Sequence, residues 1–114
     1  MGKFQSTKLF DGFSCVFRQW KAENTHCRFM HGYGVSFRVW FEGSLDDRNW
    51  VWDFGGMKRA QTQVRIVEAT GAEKFAEFIF NKLNNFVQTE TDGRVRVAKV
   101  EFMEHGKNTA IYEG

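Results

Sequence analysis

The nine residues from Gly34 to Glu42, GVSFRVWFE, constrain this chain more than any other stretch. Strict alternation places Val35, Phe37, Val39 and Phe41 on one face of a strand and Ser36, Arg38, Trp40 and Glu42 on the other. Trp40 makes the second face apolar as well, which favours a sheet covered on one side by the chain's own helices and on the other by another subunit. Upstream, Phe4 to Phe17 (FQSTKLFDGFSCVF) reads as a strand bent near Asp11-Gly12, where glycine tolerates a bulge, with Phe13, Cys15 and Phe17 on a common face. Downstream, Gly43 to Asn49 is a polar turn and Trp50 to Asp53 a short return strand, giving a predicted hairpin with the Gly34–Glu42 strand.

One or two helices are expected to follow. Asp53 can cap a short one over FGGMKRAQTQ, weakened by Gly55 and Gly56. The second runs from Gly71 to Phe86, where Ala72, Phe75, Ala76, Ile79, Leu83 and Phe86 recur at helical spacing and Thr70 and Glu73 have the spacing of a capping box. Past a tight connection at Asp92-Gly93, Arg94 to Glu104 is extended again, and the change of phase between Val97 and Val100 predicts a bulge. The sum is an α+β domain, an antiparallel sheet with helices packed on one face.

Composition sets the outer limits. At 114 residues, with 42% hydrophobic and 26% charged residues, the chain fits one globular domain spanning 1–114. The 17% of aromatic residues leaves two readings open, a thick interior or an interface shared with another subunit. No apolar run is long enough to cross a bilayer, and no hydrophobic region follows Met1 to Gln5, so a cytoplasmic location is expected. Without export signals the two cysteines, Cys15 and Cys27, read as free thiols. With 16 Lys+Arg against 14 Asp+Glu, nucleic-acid binding through Arg18, Lys21, Arg28, Arg38 and the tryptophans is a minor alternative to a solvated mixed-charge face.

The densest group of reactive side chains is Cys27-Arg28-Phe29-Met30-His31-Gly32-Tyr33, just before the best strand. A thiol beside an imidazole ionises more readily and can act as base or nucleophile. A structural role for the pair is the alternative. Cys15, His26, Cys27, His31 and His105 are the candidate metal ligands, but they show no closed zinc-finger spacing.

This cluster resembles the 6-pyruvoyl tetrahydropterin synthase and 6-carboxytetrahydropterin synthase group, whose motif is a Cys followed at a short interval by His-Gly-His. Three further stretches are similar in family order: Trp50-Val51-Trp52-Asp53-Phe54-Gly55-Gly56-Met57-Lys58 to a strand leading into Asp-Phe-Gly, Gly71-Ala72-Glu73-Lys74 to a Thr-Ala-Glu-Asn helix opening, and Glu104 with Ala110 and Tyr112 to the terminal Glu, Ala and Tyr. The resemblance implies the tunnelling fold and a homohexamer of two trimeric barrels with sites at subunit boundaries. It also implies a lyase-like reaction on 7,8-dihydroneopterin triphosphate in pterin or queuosine (7-deazaguanine) synthesis. By position, Cys27 matches the general base, Glu104 the anchor that accepts hydrogen bonds from a pterin's amino and ring N–H groups, and His31 one of three zinc histidines. A non-catalytic pterin- or purine-binding protein is the alternative.

The departures bear on mechanism. Phe13-Ser14-Cys15-Val16-Phe17 stands where the family has Phe-Ser-Ala-Ala-His, putting Phe17 in one zinc position, and Tyr33 occupies another. One histidine cannot make a three-histidine site, so no zinc cofactor is expected; a rebuilt site from Cys15, Cys27 and His31 is the minor alternative. Tyr33 is expected to donate a hydrogen bond to a substrate oxygen in the metal's place, and His31 to face the substrate. Between Lys58 and Thr70 the family carries a longer loop with an Asp-His proton relay. This sequence has only Arg59 to Ala69, so either the relay is absent or a loop is missing from about 61 to 68.

Overall fold

The computed structural model describes residues 3–17, 31–54, 71–104 and 108–114, with the backbone alone of 12–17 and 31–33. Four strands and a helix follow in the order β1 (Phe4–Phe17), β2 (His31–Gly43), α1 (Ala72–Glu90), β3 (Val95–Glu104) and β4 (Asn108–Tyr112). The strands form one sheet in the order β1-β2-β3-β4, each antiparallel to its neighbour. The α+β architecture is therefore the expected one. Among the described residues no helix is long and apolar enough to cross a membrane. The short helix expected after Asp53, and the loop at about 61–68, lie outside the described residues.

β2 is the spine of the sheet because its alternation supplies a continuous apolar row. Val35, Val39 and Phe41 are buried and Phe37 stacks on Phe10 of β1 at 4.9 Å. Both expected irregularities are present. Between Phe10 and Phe13, β1 advances three residues while β2 advances two, so the Asp11-Gly12 step holds the extra residue. Lys99 and Val97 of β3 lie opposite Trp40 and Phe41, leaving Ala98 as the bulge. That bulge keeps Val95 and Val97 in phase with Val100 and Phe102, and all four are buried. The Val97 N–H there donates to Asn84 Oδ1 of α1 at 2.9 Å, so the disturbed ladder leaves that donor satisfied.

α1 extends four residues past the predicted end at Phe86. Its buried stripe is Ala76, Phe80, Leu83 and Val87, with Ala72, Phe75 and Ile79 partly buried beside it. The face is thus centred one position later than Phe75, Ile79 and Phe86 suggest, because Phe80 meets Tyr112 of β4 and Phe86 turns edge-on to Trp52. The capping box is not used: Gly71 is the N-cap, without a side-chain bond, and Thr70 lies outside the described residues. At the other end the Thr91 hydroxyl donates to the Val87 carbonyl and accepts from the Val95 N–H. Asp92 (φ 50) and Gly93 (φ 82) then turn the chain from helix into β3; they connect a helix to a strand, not two strands.

Trp50 to Asp53 is a correction. The segment forms no strand, because both edges of β2 are already paired, one with β1 and the other with β3. The Asp46 carboxylate accepts the N–H groups of Arg48 (2.8 Å) and Trp50 (3.0 Å), and the Asp46 N–H donates to the Trp50 carbonyl (2.8 Å). This closed turn folds Val51, Trp52 and Phe54 onto the core, where Trp52 and Phe54 lie 5.1 and 5.6 Å from the Phe41 ring.

Candidate functional site

One row of the sheet gathers the candidate residues. Phe13 of β1 lies opposite Val35 of β2, Val35 opposite Glu104 of β3, and Glu104 opposite Asn108 of β4. Beyond that row, among the described residues, the β1–β2 ribbon continues without β3, with Cys15 opposite Tyr33 and Phe17 opposite His31. Tyr33 and His31 are two and four residues along β2 from Val35, hence about 7 and 14 Å along the strand at roughly 3.4 Å per residue. Tyr33 and His31 thus lie along β2 beyond this row, and Glu104 stands one strand to the side on β3. Cys27, His26 and His105 lie outside the described residues.

Glu104 owes its surroundings to the helix. Phe75, in the first turn of α1, stacks on Phe102 at 5.2 Å, so the first turn of the helix covers β3 at the residue two before Glu104. Glu104 continues the phase of Val100 and Phe102 and is half-buried. Among the described residues it has no hydrogen bond and no ion pair, although a half-buried carboxylate keeps a strong demand for donors. Asn108 shares its row and continues the phase of Ala110 and Tyr112, but is exposed. Reading the sequence overlooked Asn108; its place two and four residues before Ala110 and Tyr112 is the signal that finds it.

The resemblance matches Phe17, His31 and Tyr33 to the three zinc positions. The residue at the first ligand position, Phe17, lies directly opposite His31, and phenylalanine has no lone pair to give a metal. Tyr33 stands at the third position. Among the described residues no group of three His, Cys, Asp or Glu side chains could hold a metal ion.

At the opposite end of β2, an open groove of about 540 Å³ lies between the start of β1 and residues 45–54, walled by Phe4, Trp50, Trp52 and Phe54. Phe4 pairs with Gly43, eight residues from Val35, so this groove is separate from the Glu104 row. Its polar margin is already engaged: Arg48 lies over the Trp50 ring at 4.3 Å and reaches Asp53 at 3.6 Å. The sheet face away from the helix carries mixed charge. Arg96 meets Glu42 at 2.7 Å, Lys99 lies over Trp40 at 4.3 Å, Arg38 donates to the Thr7 hydroxyl at 3.1 Å, and Glu101 lies opposite Arg38. Arg38 therefore sits in the solvated mixed-charge pattern and not in a basic stripe; Arg18, Lys21 and Arg28 lie outside the described residues.

A family model for 6-pyruvoyl tetrahydropterin synthase matches residues 7–69, more than half of the chain, through β1, β2 and the Asp46 turn. The chain belongs to the 6-pyruvoyl tetrahydropterin synthase family. Its fold is similar to that of an uncharacterized protein from Wolinella succinogenes, with a TM-score of 0.79 and 18% identity over 100% of this chain and 99% of that one. It is also similar to the 6-pyruvoyl tetrahydropterin synthase of Caenorhabditis elegans, with a TM-score of 0.71 and 18% identity over 99% and 95%. Among curated protein sequences none matches it. At such identity the two structures support the tunnelling fold, and the four-stranded antiparallel sheet with its helix on one face is that architecture.

Proposed function

We propose that this protein binds a pterin- or purine-type ring at Glu104 and acts on a substrate of the 7,8-dihydroneopterin triphosphate type, in pterin or queuosine (7-deazaguanine) synthesis. The observation that carries the reading is the half-buried Glu104, whose carboxylate has no partner among the described residues, at the row from which the β1–β2 ribbon leads to Tyr33 and His31. A carboxylate accepts two adjacent N–H donors in one plane, which is what the amino and ring N–H groups of such a ring present. The resemblance of the Cys27–Tyr33 stretch suggests the remaining roles. Cys27, as thiolate, takes a proton from a side-chain carbon; the electron pair of that C–H bond forms a C=C bond as the C–O bond to triphosphate breaks. Tyr33 donates a hydrogen bond to a side-chain oxygen, and His31 faces the same group. No step is routed through zinc.

A homo-oligomer, a hexamer in the family's arrangement, completes this reading. β1 and β4 are the two edges of the sheet, and Phe4 and Leu9 on one and Ile111 on the other are exposed. Pairing edges between copies would satisfy their free backbone groups and cover those side chains.

The test is binding and turnover with purified protein. Wild type should bind pterin, Glu104→Gln should weaken binding about 10- to 100-fold, the worth of a charge-assisted hydrogen bond, and Cys27→Ala should bind but not turn over dihydroneopterin triphosphate. A wild-type protein that binds neither ring would end the proposal. The second reading, a non-catalytic binding protein, is favoured by Phe17 opposite His31, since loss of a Lewis acid removes several kcal/mol of charge stabilisation. Tight binding with the ligand recovered unchanged would select it.

A further inference from the structure

The ring anchor has a neighbour whose chemistry completes it. We infer that Asn108 is a second ring-binding residue, whose side-chain amide reads the carbonyl next to the N–H groups taken by Glu104 and selects a 2-amino-4-oxo ring. The inference rests on the ring-binding reading of Glu104 and adds to it which ring edge is accepted.

The argument starts from register. Glu104 and Asn108 are direct partners across β3 and β4, and directly opposed residues of an antiparallel pair have Cβ atoms about 5 Å apart on the same side of the sheet. Phase agrees, since Ala110 opposite Phe102 and Tyr112 opposite Val100 lie in the same two rows of side chains, against α1. Every residue in those rows from Val100 to Phe102 and from Ala110 to Tyr112 is committed to the core or to Phe80. Glu104 and Asn108 are the next pair along, and among the described residues neither has a hydrogen bond or ion pair.

Their chemistry is complementary in a specific order. Glu104, ionised, only accepts; it can meet two neighbouring donors. Asn108 supplies an NH₂ donor one strand spacing to the side. A ligand edge that satisfies both reads donor, donor, acceptor: amino N–H, ring N–H, carbonyl oxygen. That is the edge of a 2-amino-4-oxo pyrimidine ring, shared by pterins and guanine. Rings that keep both donors but weaken or lack the acceptor would forfeit the Asn108 hydrogen bond, worth about tenfold in affinity at an exposed amide.

The test compares pterin with its 4-thioxo analogue, which keeps both donors and replaces the carbonyl oxygen by sulfur, a weaker acceptor. Titrations use wild type, Glu104→Gln, Asn108→Ala and Asn108→Asp, with thermal unfolding to verify that each folds; Asn108 is exposed, so its variants should. Wild type should prefer pterin. Asn108→Ala should weaken pterin binding about tenfold and thioxopterin binding less than twofold, so that the preference collapses. Asn108→Asp, which sets a carboxylate against the carbonyl oxygen, should weaken pterin binding further. If Asn108→Ala lowers both affinities equally or changes neither, while Glu104→Gln loses both, the role of Asn108 is overturned and ring binding at Glu104 stands. If wild type binds neither compound, both fall together.

Discussion

Two glutamates at opposite ends of one sheet differ in everything but residue type. Glu42, at the end of β2, is held by Gln5 (3.4 Å) from β1 and Arg96 (2.7 Å) from β3, so its two neighbouring strands meet through it. Glu104, at the end of β3, is half-buried and without such partners among the described residues. Side chains at the Glu42 end close on one another, through the Asp46 turn and the Phe41–Trp52–Phe54 cluster. At the Glu104 end the first turn of the helix meets β3 at Phe102, and the Glu104 and Asn108 side chains have no partner among the described residues. A carboxylate that braces the fold is recognised by the partners it already has; one that serves a ligand is recognised by partners it still lacks.

The largest effect should come from the closed end. Phe41 is fully buried and touches both Trp52 and Phe54, so Phe41→Ala removes a ring and leaves a cavity. A loss of about 3–5 kcal/mol is expected in denaturant unfolding. A loss under about 1 kcal/mol would mean the Trp52–Phe54 segment collapses into the space, and that this end is less rigid than the contrast requires.

Next comes the backbone approach beside Glu42. A Cβ on Gly43 would lie 2.5 Å from the carbonyl oxygen of Arg94, a backbone atom with little freedom, because the Arg94 side chain also donates to the Ser44 carbonyl. Gly43→Ala should destabilise by about 1–3 kcal/mol, the range of overpacking in a filled interior. Gly34, at the other end of the same strand, has open space where its Cβ would be. Gly34→Ala should therefore be close to neutral in the same unfolding experiment, and equal losses at the two glycines would erase the distinction between the ends.

These regions were not equally legible in the residues. Period-two alternation revealed β2, and the break in phase between Val97 and Val100 revealed the Ala98 bulge, because burial on one face leaves few other solutions for four valines and phenylalanines. The Asp11-Gly12 bend was readable for another reason, the backbone freedom of glycine inside a strand. Trp50–Asp53 was not: Trp, Val and Trp after a polar turn suit a return strand, and only the pairing of β2 on both edges, a property of the whole sheet, forbids it. The Thr70–Glu73 spacing misled because the helix starts at Ala72, one residue later than that box requires. At the candidate site, Glu104 was singled out through the Glu, Ala and Tyr spacing of a known family. Asn108 was missed because an exposed polar residue in a strand carries no signal until its partner is known.

Removing each glutamate's charge sharpens the comparison, first through stability at neutral pH. Glu104→Gln should leave the unfolding midpoint near that of wild type, since it breaks no bond within the described residues. Glu42→Gln should lower it, since Gln cannot ion-pair with Arg96.

The smallest effect should lie in the acid limb of the stability curve, and its sign follows from Glu42's surroundings. Burial pushes the Glu42 carboxyl up, but the hydrogen bonds from Gln5 and Arg96, with the charges of Arg96 and Lys3, outweigh it and hold the group below its ordinary value. A carboxyl lowered on folding stabilises the native state fully above its unfolded-state pKa, and that contribution is lost as pH falls through the folded value. Stability measured downward from neutral pH should therefore decline less in Glu42→Gln than in wild type, the two curves converging at low pH. Asp46 is lowered in the same sense, first by the Trp50 N–H and then, against burial, by the Arg48 N–H and guanidinium, so part of the acid loss should survive the Glu42 change. An acid limb identical in Glu42→Gln and wild type would mean that Arg96 and Gln5 do not brace this carboxylate in solution, and the closed end would then differ from the open one in packing alone.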